Sequence, residues 1–440
     1  MGDYLRIRAG RLIDGRGGLP LTDGAVLIEG QRIVAAGRAT EVLAPPDASA
    51  QELSFPDGTI LPGLIDVHAH LTFGTGGRTY EQVMREDSDD LMLVRAVRNC
   101  QLHLAAGVTT VRDCGARNDT TLSLRDAAAV GLFPSPRLLV SGPPLTITGG
   151  HFWWCNGEAD GVAGVQRQAR LLLKRGVDFL KIMASGGGTL GTNQAAATYS
   201  ADEIAAAVRE AHMLGKLTTA HCLAAESVAN AVEGGIDQVE HINFIHPDGS
   251  RRFDEGTAAR IVERGIYVSP TIQTGYRQIE RLAANGMDRA RLSDLQYKLD
   301  TKLDFVRRFH ELGARIVSGT DAIATFGDYA IGLELLVRAG LTPMQVIMSA
   351  TRVAAEAIGL GQVIGTLEPS KEADVIVVNG DPAVDIQCMG SVALVVRGGE
   401  VVHRTATDRP RPRSLGLGAS GHADTVQRSG DERPVPHSWR

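Results

Sequence analysis

The chain has 440 residues, 43% of them hydrophobic and 22% charged, enough to bury a large core in one big domain with a smaller companion. A formal net charge of −6 and a pI of about 6.1 argue against nucleic acid or an anionic membrane surface as partner. Cys100, Cys114, Cys155, Cys222 and Cys388 are scattered without CxxC spacing, the start MGDYLRIRAGRLIDG holds no signal-peptide core, and no apolar run reaches the roughly 20 residues of a membrane span, so a cytoplasmic protein is expected.

From Asp3 to about Thr59 the runs YLRIRAGRLIDG, GAVLIEGQRIVAAG and TILPG alternate in β fashion between Gly-rich and Asp-Gly turns. A similar set, ADVIVVNG, VALVVRGG and EVVHR, returns between about Gly365 and Arg404. The two ends are expected to meet in one small β-sandwich domain, residues 1–60 with 361–405. Between them, over 61–360, come eight strand-like runs: LIDVHAHL, GVTTVRDCG, PRLLVSG, VDFLKIMAS, KLTTAHCL, QVEHIN, IYVSPTI and RIVSGTDA. Helix-like stretches with apolar residues at three- and four-residue spacing separate them, most ending near a glycine suited to a helix C-terminus. After the eighth run, PMQVIMSATRVAAEAIG opens with Pro343 where a helix's first turn accepts it. This order predicts an α/β fold, a (β/α)8 TIM barrel. The tail, residues 406–440, is rich in Pro, Gly, Ser and charge and reads as disordered, which sets His422 and His437 aside.

Six residues stand at the C-terminal ends of strand-like runs: His68 and His70 in GLIDVHAHL, Lys181 in DFLKIMAS, His221 in LTTAHCL, His241 in QVEHIN and Asp321 in IVSGTDA. Alternation along a strand points Asp66, His68 and His70 to one face. In a barrel these strand ends form the active-site mouth, so residues far apart in sequence can point at one spot. Imidazoles with a carboxylate suit Zn²⁺ and neighbouring divalent ions, whereas an all-oxygen set would suit Mg²⁺ or Ca²⁺. HxH alone is a weak signal; further ligand types at matching strand ends strengthen it. Lys181 lies in a run that is apolar throughout, and a buried plain lysine is costly. An ammonium has no lone pair, so beside divalent ions it must lose a proton or be converted. The carbamate formed with CO2 is an anionic oxygen ligand able to bridge two metals.

On PGLIDVHAH, Lys181, His221, His241 and Asp321 the chain resembles the metal-dependent amidohydrolase superfamily, over about residues 1–405. The resemblance implies a hydrolase of carbon–nitrogen bonds with a binuclear centre, Zn²⁺ first, with Mn²⁺, Co²⁺ or Fe²⁺ as alternatives. His68, His70 and Asp321 would hold one ion and His221 and His241 the other, with carboxylated Lys181 and a hydroxide between them. Asp321 would carry the nucleophile's proton to the leaving nitrogen. A small-molecule substrate and a self-associating enzyme, a homo-oligomer, are also expected.

His151 follows the turn-rich TITGGH and precedes Phe152, Trp153 and Trp154. Two readings stay open: a loop packed on the barrel rim, or a substrate site in which His151 hydrogen-bonds the carbonyl or oxyanion and the aromatics line an apolar pocket. Asp66 and Asp113 are candidates to orient ligand histidines, and Asp113 equally reads as a turn residue. SGGGTLGTNQ fits no phosphate-loop pattern and reads as a mobile loop over the pocket. His103, His212, His246 and His310 read as structural.

Within the superfamily the chain looks most like the branch of Xaa-Pro dipeptidases and aryl amide and urea hydrolases. Dipeptidase-like members often carry HAY after the fifth strand, with a tyrosine that helps hold a substrate carboxylate; here Leu223 takes that place in AHCLAAES. That favours a neutral or aromatic amide, carbamate or urea-like substrate. The alternatives are an Xaa-Pro or N-acyl-amino-acid peptidase anchored by Arg78 or Arg117, a mononuclear imidazolonepropionase-like cyclic amidohydrolase, and a non-catalytic scaffold.

Overall fold

The computed structural model describes residues 4–74 and 78–405. The expected disordered tail, with His422 and His437, lies outside the described residues.

Four strands open the chain: β1 (Tyr4–Leu12), β2 (Leu21–Glu29), β3 (Arg32–Arg38) and β4 (Ala50–Pro62). Eight follow at the expected positions: β5 (Leu64–Ala69), β6 (Val108–Asp113), β7 (Arg137–Val140), β8 (Phe179–Met183), β9 (Leu217–Ala224), β10 (Gln238–Ile245), β11 (Tyr267–Ser269) and β12 (Arg315–Ile316). Three close the described chain: β13 (Val375–Asn379), β14 (Val392–Arg397) and β15 (Glu400–Arg404).

The two chain ends do meet, as one seven-stranded mixed sheet in the order β15-β14-β13-β4-β1-β2-β3. The long β4 joins them: it pairs in parallel with β1 on one edge and antiparallel with β13 on the other. Alternation buries Ile7 and Ala9 and exposes Arg8 between them. Ile7, Val26, Ile28, Ile60, Val375, Val377 and Leu394 form one apolar cluster, and Ala25, Leu27, Ala39 and Val42 form another. A sandwich of two separate sheets is therefore not what the hydrogen-bond ladders draw.

The parallel strands form a three-stranded sheet, β5-β6-β7, and a five-stranded one, β8 to β12, in sequence order. The ladder is not one closed ring, because β12 is only two residues long and β7 runs into Pro143 and Pro144, which lack N–H donors. Hydrogen bonds nevertheless cross both seams. Leu145 N–H donates to the Lys181 carbonyl at 2.8 Å and Met183 N–H to the Leu145 carbonyl at 2.8 Å. At the other seam Asp321 N–H donates to the His68 carbonyl at 2.7 Å, and Ala69 bridges Ala322.

The expected helices are present, and Gly107, Gly176, Gly215, Gly235, Gly265 and Gly313 take left-handed φ just after helix ends. The sequence reading missed the helices Tyr80–Glu86 and Ile272–Ala284; Gly275 inside the second weakens its helical pattern. The stretch from Pro343 is two helices, Pro343–Ser349 and Arg352–Ala357, broken where the Thr351 hydroxyl donates back to the Ile347 carbonyl at 2.7 Å. Among the described residues no helix is long and apolar enough to cross a membrane.

One ion-pair group ties the terminal sheet to the parallel strands. Arg137 on β7 donates to Asp374 Oδ2 at 2.8 Å and also pairs with Glu372, while buried Asp374 accepts Gly398 N–H at 2.8 Å. Removing the guanidinium strands a buried carboxylate. Arg137→Met is expected to cost on the order of 3 kcal/mol, read as a lower urea midpoint with unchanged m-value.

Candidate metal centre

Every residue of β5 is buried. Ile65 and Val67 pack outward with Val317, Ala354 and Ile364, which leaves Asp66 and His68 facing inward. Asp66 clamps backbone together with one ring outside the expected ligand set: it accepts His68 N–H at 3.1 Å, Thr320 N–H at 3.0 Å and the Thr320 hydroxyl at 2.5 Å, and faces His103 Nε2 at 3.2 Å. The start of the segment bearing Asp321 is thereby fixed to the strand bearing His68. Asp113 likewise accepts Leu71 N–H at 2.7 Å and Gly115 N–H at 3.3 Å, so it holds turns and touches no ligand ring. The orientation expected of these two carboxylates is exercised through the main chain.

The structure gathers His68, His70 and Asp321 tightly. His68 Nε2 and His70 Nε2 are 3.4 Å apart, and Asp321 Oδ1 stands 3.4 Å from the first and 3.5 Å from the second. His241 Nδ1 is 4.0 Å from Asp321 Oδ2. The rings of His221 and His241 are 4.4 Å apart by centroid, and those of His68 and His241 5.1 Å. Lys181, at the centre of the fully buried β8, contacts Glu240 Oε2 through Nζ. All six expected residues thus converge, although Lys181 stands in the middle of β8 and not at its end.

Tautomers follow from what the other ring nitrogens face. His70 Nδ1 lies 3.1 Å from the Gly115 carbonyl and His221 Nε2 3.2 Å from the Gly186 carbonyl. A carbonyl only accepts, so each nitrogen facing one carries the proton and the opposite nitrogen keeps its lone pair. His68 Nδ1 stands 3.1 Å from Glu240 Oε2, off the angle of an aligned hydrogen bond. His241 Nδ1 is 2.7 Å from the Thr271 hydroxyl.

Burial sets the charge states. Desolvation holds His68, His221 and His241 well below the usual imidazole range, and pushes His70 and His151 down to about 3. The same effect lowers Lys181 to about 8 and raises Asp321 to about 7. Neutral imidazoles are what a metal ion requires of its ligands.

Backbone strain concentrates here. Phe152, His241, Ile242, Phe244, Thr271 and Asp321 all have φ between 43° and 66°, a region that disfavours L side chains and above all the β-branched Ile242 and Thr271. At His241 the β10 ladder shifts register, which turns the imidazole to the same end as the other ligands.

His151 belongs to this site. It is buried, its ring lies 4.6 Å from that of His221, and its Nδ1 is 2.8 Å from the Thr189 hydroxyl. Thr189 Oγ1 also accepts Phe152 N–H at 3.2 Å, and when its own proton goes to His151 Nδ1 the ring carries Nε2–H as a donor. The Gly-rich segment read as a loop over the pocket brings Thr189 to His151 and has Gly187 N–H donating to the Thr192 hydroxyl at 3.1 Å. Phe152 packs on His70 at 5.1 Å, and Trp154 is buried with Phe73, Met84, Met92 and Met183; Trp153 is half-buried. Leu223 is buried two residues beyond His221 on β9, its N–H donating to Ser185 Oγ at 2.9 Å. Neither expected carboxylate anchor is available. Arg78 forks onto Asp87 at 2.9 and 2.8 Å, and Arg117 binds Asp89 at 2.6 Å and the Met84 and Asp87 carbonyls.

Sequence reasoning missed Glu240, Arg112, Thr189, Thr271, Arg251 and Lys302. For the first two a signal existed: charged residues inside strand-like runs, Glu240 in QVEHIN and Arg112 beside Asp113 in VTTVRD.

Residues 59–402 match the amidohydrolase family, and the chain belongs to it. It is a hydrolase that acts on carbon–nitrogen bonds. It is similar to ochratoxinase from Aspergillus niger, 29% identical over 432 residues, 90% of this chain and 86% of that one. The ochratoxinase crystal structure superposes with a TM-score of 0.79 at 27% identity, covering 91% of this chain and 95% of that one. A Xaa-Pro dipeptidase with bound methionine gives a TM-score of 0.80 at 26% identity over 91% of this chain and 100% of the other. Such likeness carries the TIM-barrel fold.

A Cβ added at Gly187 would stand 2.4 Å from Cδ2 and Nε2 of His151. Gly187→Ala is expected to displace that imidazole and lower kcat about tenfold or more with metal content unchanged, a split that assay and elemental analysis together resolve.

Proposed function

We propose that the chain is a binuclear metal-dependent hydrolase that cleaves an amide, carbamate or urea-like bond of a small substrate with an apolar or aromatic group. The observation that carries this is the triangle of His68 Nε2, His70 Nε2 and Asp321 Oδ1, with sides of 3.4, 3.4 and 3.5 Å. Tetrahedral ligands about 2.0–2.1 Å from Zn²⁺ would be roughly 3.3–3.4 Å apart, so the donor set fits such an ion in spacing as well as in charge. His68, His70 and Asp321 would hold one ion, His221 and His241 the second, and Lys181 as its CO2 carbamate would bridge. We also read the two parallel sheets as arcs of one (β/α)8 barrel, supported by the hydrogen bonds across both seams, and the mixed sheet, apolar clusters included, as the small β-sandwich-like domain.

Bound divalent ions would supply an activated water and polarise the scissile carbonyl. The protein's own groups do the rest. Asp321 Oδ1 faces the two histidines, which leaves Oδ2 to take a proton and return it to the leaving nitrogen. His151, oriented by Thr189, presents Nε2–H to the oxygen on which negative charge develops. Buried Leu223 and Phe152 keep the neighbourhood apolar. Two divalent ions per chain are expected, with activity lost on chelation and restored by metal. Asp321→Asn should retain metal while kcat falls about 10²–10⁴-fold; loss of metal in step with rate would make Asp321 chiefly a ligand.

A second reading, a substrate bearing a carboxylate, is favoured by Lys302 and Arg251. Lys302 feels the Asp321 carboxylate and the Arg251 guanidinium, and its charge acts on His241. Arg251 sits where the loop after β10 bridges back to Ile245. Arg251 also feels the Asp294 carboxylate. Lys302→Met is expected to raise KM for N-acyl amino acids about tenfold and leave anilide and phenylurea KM unchanged; equal effects on both would remove this reading.

A further inference from the structure

His70 and His221 lean on main-chain carbonyls and His241 on the Thr271 hydroxyl, whereas His68 and Lys181 share one side chain that lies outside the expected ligand set. Glu240 is fully buried on β10, and its two carboxylate oxygens face different groups. Oε1 accepts the Thr219 hydroxyl at 2.7 Å and has Cys114 Sγ at 3.6 Å and Arg112 Nη2 at 3.5 Å. Oε2 faces Lys181 Nζ and, at 3.1 Å, His68 Nδ1. Arg112 is itself fully buried, anchored by Nε–H to the Val67 carbonyl at 2.7 Å with its guanidinium 5.0 Å over the Phe179 ring.

Three features make this more than an ion pair that happens to be buried. Arg112 places a guanidinium nitrogen 3.5 Å from Oε1, a second cationic group beside this carboxylate, so Lys181 is not its sole countercharge. The Oε2 atom lies 3.1 Å from His68 Nδ1, off the angle of an aligned hydrogen bond, and an acceptor at that distance favours Nδ1–H, which leaves the lone pair on Nε2, the atom that points at His70 and Asp321. A neutral lysine amine carries two N–H bonds and its carbamate one, so Oε2 meets a donor on Nζ in either state.

We propose that Glu240 is the positioning residue of the metal centre: through Oε2 it favours the Nδ1–H form of His68 and aims Lys181 Nζ, while the Thr219 hydroxyl holds Oε1. This rests on the two-ion reading above and adds a residue to it. Glu240→Gln keeps shape but can turn an NH2 toward His68 and Lys181, and it removes the charge. The variant is expected to bind the first Zn²⁺ about 10–100-fold more weakly in chelator competition, with two ions still bound at saturation. It should also show a reduced carbamate signal in ¹³C NMR under ¹³CO2, and Glu240→Asp should recover part of both. A variant with a lower Tm but unchanged Zn²⁺ affinity and carbamate signal would overturn the proposal, as would loss of one ion at saturation, which would make Glu240 a ligand.

Should Glu240→Gln fail to fold, the wild-type chain stripped of metal still decides the matter. Long-range ¹H–¹⁵N imidazole spectra should show His68 protonated on Nδ1, and protonation on Nε2 would refute the assignment. That spectrum is independent of turnover, so a chain that takes up no metal would sink the two-ion reading while the tautomer result judged Glu240 separately.

Discussion

Holding imidazole lone pairs toward one another in a dry site is unfavourable, and the end of the parallel strands is organised around that constraint. His68 and His70 bring two Nε2 atoms to 3.4 Å with a carboxylate oxygen at almost the same distance from both. Unpaired, such donors would separate or protonate. They do neither, because their positions are over-determined from behind. Asp66 locks His68 to Thr320 through the backbone, Asp113 locks the turn after His70, and the Gly115 and Gly186 carbonyls occupy the outward nitrogens. The left-handed residues at His241, Ile242, Thr271 and Asp321 belong to the same arrangement. Strain of order 1–3 kcal/mol at each persists only where surrounding packing leaves no alternative.

Charge balance follows from the same burial. Glu240 and Arg112 are opposite charges within reach of each other, and both are fully buried. What remains is a lysine that desolvation lowers to about 8 and an aspartate that desolvation raises to about 7. A cationic lysine would repel any divalent ion brought to the neighbouring imidazoles. An anionic carbamate reverses the sign and adds oxygen donors, so the carbamate reading rests on electrostatics as well as on family likeness.

Much of this was legible in the chain. The eight strand runs stand where alternation and apolar clustering place them, and the six ligand-type residues converge because parallel strands present their C-terminal ends together. Other features were not local. Strict alternation puts Glu240 and His241 on opposite faces, and nothing in QVEHIN announces that φ turns positive at His241 and returns its ring to the site. Arg78 and Arg117 resembled free anchors because their partners, Asp87 and Asp89, are acids on a segment whose first helix, Tyr80–Glu86, the pattern did not reveal. The aromatic run after His151 read as a pocket lining, yet Trp154 serves a buried cluster while the segment's polar work falls to Thr189, 38 residues beyond His151.

The expected ligands sit on or just beyond the parallel strands, whereas the two cations of the carboxylate reading lie on a connecting segment and on the long helix Arg289–Glu311 that carries Lys302. That helix is seated by Phe305 and Phe309 against Phe244 and Phe253, two residues flanking the loop that carries Arg251. One aromatic cluster therefore sets the position of both cations relative to His241, which lies three residues before Phe244 on the same strand. A cation fixed by packing of this kind pays little entropy on meeting an anionic group. Loss of a tyrosine at Leu223 thus does not by itself remove the means of recognising a carboxylate; it moves the question from the fifth strand to the face that this helix presents.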